Sequence, residues 1–251
     1  MLEKLEGIVI RTGNYGETHK IVTLFTKEKG KIAVMARGAK KPKSRMTSIT
    51  QPFVQASYLV QMGSNMGTLH QGEVMQSFRA IREDIEKAAY ASYMAELTDK
   101  LIEQNEPDPF LYEQFLLTLE WMGEGKDLDI LLYMYELKMY KKGGFAPQLM
   151  QCVNCGQQQN PPFSFSIIEG GVLCKRCSHI DPESVTLSEK LHKILQMCLH
   201  VDIQRVGNIS VKQETKEQVR NILDLYYERY GGYFLKSKKF LNQLDWLRDT
   251  K

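Results

Sequence analysis

Cys152-Val153-Asn154-Cys155 and Cys174-Lys175-Arg176-Cys177 are two Cys-x2-Cys pairs separated by 18 residues. A two-residue gap lets both sulfurs of one tight turn reach the same ion, and two such turns supply the four-thiolate tetrahedral shell that zinc prefers. Four thiolates leave no open position for water or substrate, so the reading is one structural Zn2+ held by Cys152, Cys155, Cys174 and Cys177. Two disulfides or a redox pair are the competing readings. Nothing marks the chain for secretion, and neither pair opens a helix after a buried strand, which disfavours both. The stretch at about 148–180 has few large aliphatics, and its prolines and glycines are expected to break any regular element. Metal binding worth on the order of 10 kcal/mol offsets the cost of ordering it. Cys198 lies on an apolar helical face with Ile194 and Leu195 and reads as a small buried hydrophobe.

A second chemical feature is charge. Residues 1–80 hold twelve lysines and arginines against five acids, and residues 27–45 hold eight against one, although the whole chain carries only +3. A field this concentrated attracts a polyanion, most commonly nucleic acid. A solvated lysine-rich loop is the plainer alternative. Arg37, Lys40, Lys41, Lys43 and Arg45 are the candidate phosphate contacts, with Tyr15, Phe53 and Tyr58 as faces on which bases could stack or as barrel core. A smaller cluster, Lys236, Lys238 and Lys239, follows Gly231-Gly232.

Enzyme signatures are missing, so no residue is assigned a catalytic role. Gly123-Glu124-Gly125-Lys126 lacks the spacing of a phosphate loop, and Asp127 stands where its hydroxyl residue belongs. No His-Glu-x2-His or Gly-x-Ser-x-Gly occurs, and the five histidines form no close pair. His19 and His70 fall in predicted strands and read as structural. The longest apolar run, Ile130 to Tyr135, is far shorter than the ~20 residues of a membrane span, and the N-terminus has no secretory pattern.

These residues need elements to position them. Leu5–Thr12, His19–Thr26, Lys31–Arg37, Phe53–Met62 and Gly67–Met75 read as five strands with turn residues between them and a long polar loop over Gly38–Gln51. That pattern fits a small oligonucleotide/oligosaccharide-binding (OB) barrel, with an SH3-like barrel as the alternative. From Phe78 the apolar period lengthens to about 3.6 and predicts one helix ending before Pro107. Further helices are predicted over Asp108–Met122, Asp127–Lys142, Ser188–His200, Lys212–Tyr230 and Ser237–Leu247. Asp127–Lys142 is apolar all round and is expected to be buried. The expected organisation is α+β: a five-stranded OB barrel over 1–77, then an α-helical domain over 78–251 with the zinc element inserted.

Gly7-Ile8-Val9, Tyr15-Gly16-Glu17-Thr18-His19-Lys20-Ile21-Val22, Gly30 and Ala36-Arg37-Gly38-Ala39-Lys40-Lys41 occur in this order, and Tyr230-Gly231-Gly232 and Leu235-Lys236-Ser237-Lys238-Lys239-Phe240-Leu241 follow near the C-terminus. Together they resemble the RecO family of bacterial DNA-repair proteins over nearly the whole chain. The resemblance implies a non-enzymatic recombination mediator that binds single- and double-stranded DNA and anneals complementary strands. It also implies contact with the single-stranded-DNA-binding protein SSB and, with RecR, loading of RecA onto covered strands. Such a protein works in the cytoplasm, at the nucleoid. Some members lack the cysteines, so the resemblance only permits zinc. A different OB and zinc-ribbon module, binding RNA or assisting transcription, is the alternative function.

Overall fold

A computed structural model describes residues 1–158, 162–207 and 209–249. Five strands, β1 (Leu2–Tyr15), β2 (His19–Thr26), β3 (Gly30–Ala36), β4 (Gln55–Gln61) and β5 (Gly67–Gln76), close into a barrel of order β1-β2-β3-β5-β4. Every pairing is antiparallel except the short parallel contact of β3 with β5. A short helix, α1 (Arg45–Ile49), interrupts the predicted polar loop between β3 and β4, capped by the Ser44 side chain. This order and this helix are those of the OB barrel rather than the SH3-like alternative.

Period-two alternation fills the barrel. Leu5, Val9, Val22, Leu24, Ile32, Val34, Val60 and Leu69 form its core together with Tyr58, which is fully buried. The Tyr58 hydroxyl donates to the carbonyl oxygens of Ile49 (2.9 Å) and Val54 (3.1 Å), and burial raises its pKa well above the usual phenol value. Phe53 is 4% exposed. Of the three suggested stacking faces, Phe53 and Tyr58 are therefore core, because the strand alternation turns Tyr58 inward opposite Leu5. Gly30 opens β3 with φ +65°, and a Cβ there would lie 1.9 Å from the Glu106 carbonyl, so both conformation and space require glycine.

The single helix expected after the barrel is two, α2 (Arg79–Glu83) and α3 (Ile85–Leu101). Asp84 between them is extended, and its carboxylate accepts from the amides of Glu86 and Lys87, which makes it the N-cap of α3. α3 packs against β1. α4 (Pro109–Gly123) begins as expected with Asp108 as cap and Pro109 in the first turn. A last helix, α8 (Lys236–Asp249), packs on α3, and the Glu96 carboxylate receives the amides of Lys236 (3.2 Å) and Ser237 (2.8 Å). Met1–Lys126 and Leu235–Lys251 thus make up one compact unit, and Asp127–Phe234 make up the other.

In the second unit α5 (Leu128–Lys142) packs against α6 (Glu189–His200) and α7 (Gln213–Tyr230). Every residue from Ile130 to Tyr140 is buried, as the apolar pattern predicts, including Glu136 and Lys138. Arg220 on α7 meets Glu136 at 2.9 Å, reaches Asp224 at 2.8 Å and lies 5.1 Å over the Tyr133 ring. The segment expected to lack regular structure contains β6 (Ser164–Ser166) and β7 (Gly171–Leu173), which form a small sheet of order β7-β6-β8 with β8 (Val185–Thr186) just beyond it.

Candidate functional site

The four cysteines of the paired motifs converge. Their sulfurs all lie within 4.8 Å of one another, and Cys155 Sγ and Cys174 Sγ are 3.8 Å apart. A tetrahedron with zinc–sulfur bonds of about 2.3 Å has edges of about 3.8 Å, so the donor set and its spacing fit a four-thiolate ion. Backbone pairing builds this geometry. The Val153 amide bonds to the Val172 carbonyl, which fixes the first knuckle to β7, while the Gly156 and Cys177 amides close the two turns onto Cys152 and Cys174. Cys152, Cys174 and Cys177 are buried with Leu173, and only Cys155 is exposed. The Asn154 side-chain amide donates to Cys177 Sγ at 3.3 Å. Burial pushes the Cys152 thiol up, but hydrogen bonds from the backbone of Cys174, Cys155 and Asn154 outweigh it and hold the group at about 6. Cys198 lies apart, fully buried on α6, and burial pushes its thiol up to about 12.

The basic run divides into two sets. Lys27 pairs with Glu113 (3.4 Å), Lys29 with Glu3 (3.1 Å) and Lys31 with Asp99 (3.6 Å), which also receives Arg11 (3.3 Å). Lys27, Lys31 and Arg11 thus fasten the barrel to the helices beside it, while Lys29 ties the β2–β3 turn to β1. Arg37, Lys40, Lys41, Lys43 and Arg45 are all exposed, and no ion pair among the described residues involves them. They lie on the turn after β3 and the start of α1. That turn is stitched to the β1–β2 connection, with the Lys40 amide donating to the Thr18 carbonyl (3.0 Å) and the Gly38 amide to Nδ1 of His19 (3.0 Å). Lys40 Nζ also approaches the Gly16 carbonyl at 3.5 Å, so the half-exposed Tyr15 ends its strand beside the basic turn.

Lys236 and Lys239 are exposed on the first turn of α8, in the same unit as the basic turn. Lys238 differs from its neighbours in being half-buried, with its Nζ shielded from solvent. His70 bonds Gln61 Oε1 at 3.0 Å, and Gly123–Lys126 is a helix end with Gly125 at φ +79°. Neither makes a catalytic constellation. The buried Glu136–Arg220 pair is the charged feature that sequence reasoning missed, because its partners are 84 residues apart.

Comparison with known proteins agrees with this arrangement. The model for the N-terminal domain of recombination protein O matches residues 1–78, and the model for its C-terminal domain matches residues 82–239. The chain is 55% identical to DNA repair protein RecO of Oceanobacillus iheyensis over 98% of its own length and 95% of that protein. It is 49% identical to the RecO of Bacillus pumilus and 46% identical to that of Bacillus subtilis, each over 98% of its length and 95–96% of the relative. Among the described residues no helix is long and apolar enough to cross a membrane.

Proposed function

Because the chain belongs to the RecO family of DNA repair proteins, we propose that it is a recombination mediator working on DNA directly. It binds single- and double-stranded DNA and anneals complementary strands. It contacts SSB and, with RecR, helps load RecA onto SSB-coated single strands. Its place is the cytoplasm, at the nucleoid, and no bond-breaking chemistry is assigned to it.

The observation that carries this reading is the set of five exposed cations, Arg37, Lys40, Lys41, Lys43 and Arg45, which make no ion pair among the described residues and lie on a turn pinned to the barrel and the start of α1. Phosphate contacts from such a set are independent of sequence and release counterions, so binding weakens as salt rises. Two strands neutralised on one surface lose much of their mutual repulsion, and pairing follows. Lys236 and Lys239 extend the same basic character at α8. Exposed Tyr15 offers a ring for stacking. In the second unit Cys152, Cys155, Cys174 and Cys177 hold one zinc ion, which supplies cross-linking of the small sheet rather than reactivity.

The test is annealing of two complementary oligonucleotides coated with SSB, without nucleotide, by the wild type and by the Lys40→Glu/Lys41→Glu/Lys43→Glu variant. Rapid annealing by the wild type and its loss in the variant support the proposal. Absence of annealing by the wild type overturns it. With naked single strands the variant's salt slope is expected to be shallower by about 2, from roughly 0.7 per lost phosphate contact.

A further inference from the structure

A cleft of about 470 Å³ opens on the barrel where α1 meets the outer face of β1, β4 and β5. We propose that it seats a nucleotide of a single DNA strand leaving the basic turn, an assignment that rests on the DNA-binding reading above. Three observations converge on this occupant. Arg45 belongs to both features, as the last cation of the basic turn and as part of the cleft lining, so the two are continuous. Lys4 brings a second exposed cation from β1, where its pairing partner on β4 is Leu59. Met46 and Leu59 are half-buried and apolar, which gives the flat face of a base something to lie against between two cations that meet its phosphates.

The strands shape the cleft locally. β5 slips against β4 between the pairs Val60–Leu69 and Leu59–Gln71, so His70 is the extra residue of a bulge. Its Nε2 is engaged by Gln61 at 3.0 Å, which holds the ring at the cleft. Glu73 is the acid of the lining. It repels phosphate and can accept from a base N–H, so the backbone is directed to the Lys4 and Arg45 side. The volume lies within the range of ligand sites and suits a nucleotide better than a folded partner segment.

The test uses the full chain and a dT15 oligonucleotide with one central 4-thiothymidine, irradiated and mapped by mass spectrometry. Cross-links at Lys4 or Met46, or in residues 55–61 or 67–76, support the seat. Cross-links confined to 37–45 or to other segments overturn it. Leu59→Asn is expected to weaken dT15 binding about tenfold with the salt slope unchanged, since it removes an apolar face and adds no charge beside Lys4 and Arg45. Lys4→Glu is expected to make the slope shallower by about 0.7. Normal dT15 affinity in both folded variants, combined with loss in the Lys40/Lys41/Lys43 reversal, rejects the cleft and leaves the DNA-binding reading standing. No binding of dT15 by the wild type rejects both.

Discussion

The amide of Gly38 donates to Nδ1 of His19 at 3.0 Å, which joins the end of β3 to the start of β2 through a side chain. The bond needs an unprotonated Nδ1, so this histidine serves as an acceptor that shapes a turn. His19→Ala removes the acceptor, a loss of about 1 kcal/mol. Freed from this tie, the cations at 37–45 are expected to bind a single strand three- to tenfold more weakly. His19→Asn carries an oxygen near the place of Nδ1 and is expected to recover most of that affinity, as read by fluorescence anisotropy on one labelled oligonucleotide.

Metal removal gives a second expectation. The purified protein is expected to carry about one equivalent of zinc, measured by mass spectrometry of the acid-released ion. A chelator is expected to expose residues 148–187 to protease before the barrel is cut, and unchanged cleavage contradicts this. The affinity is expected to rise with pH. Asn154 lowers the Cys177 thiol, but burial and hydrogen bonds with Cys174, Cys155 and Cys152 outweigh that and push it up to about 11. The empty cluster therefore retains protons that the ion must displace, and proton release on titration with zinc measures them.

What was legible beforehand follows from how local each signal is. Five strands and the cap-and-breaker signals of Asp108, Pro109 and Asp127 act within a few residues of themselves, and they stand where the pattern puts them. The two Cys-x2-Cys turns were equally local. Asp84 was hidden because apolar spacing continues through it while its carboxylate stops one helix and starts the next. The inward direction of Tyr58 depends on strand register, and the neutralisation of Lys27, Lys29 and Lys31 depends on acids up to 86 residues away. Counting charge along the chain overstated the free positive surface for that reason.

The Glu136–Arg220 pair in the second unit carries a stability prediction. Glu136 has no exposed surface, and removing Arg220 alone takes away its cation and leaves the buried carboxylate beside the Tyr140 hydroxyl. Arg220→Met is expected to cost about 3–5 kcal/mol in urea unfolding. The double variant Glu136→Leu/Arg220→Met is expected to recover most of that loss, since no charge is then stranded by the exchange.

Lys138 sets a pH dependence. Burial lowers its ammonium from 10.5 to about 8, while Nζ donates to the Val201 carbonyl at 2.8 Å. Between about pH 8 and 10.5 the unfolded chain binds the proton that the folded one has lost, so this group adds stability as pH rises. Below 8 both states are protonated and its contribution is flat. Cys198 works in the opposite sense above pH 9, because its folded pKa of about 12 exceeds the unfolded value of 9.0. From pH 8 to 9 the stability of the wild type relative to Lys138→Met is expected to climb by roughly 1 kcal/mol, and a constant difference refutes the assignment.

Helix α8 docks on α3 through Glu96, yet the two are separated by the whole of the second unit. A ribosome adding 5–20 residues per second takes roughly 5–20 s to make the intervening stretch of about 110 residues. Throughout that interval the barrel and its first helices exist without α8, and the α3 surface it will cover is bare. The barrel unit is thus started before the second unit and completed only after it, so its α3 face waits through the whole of that interval.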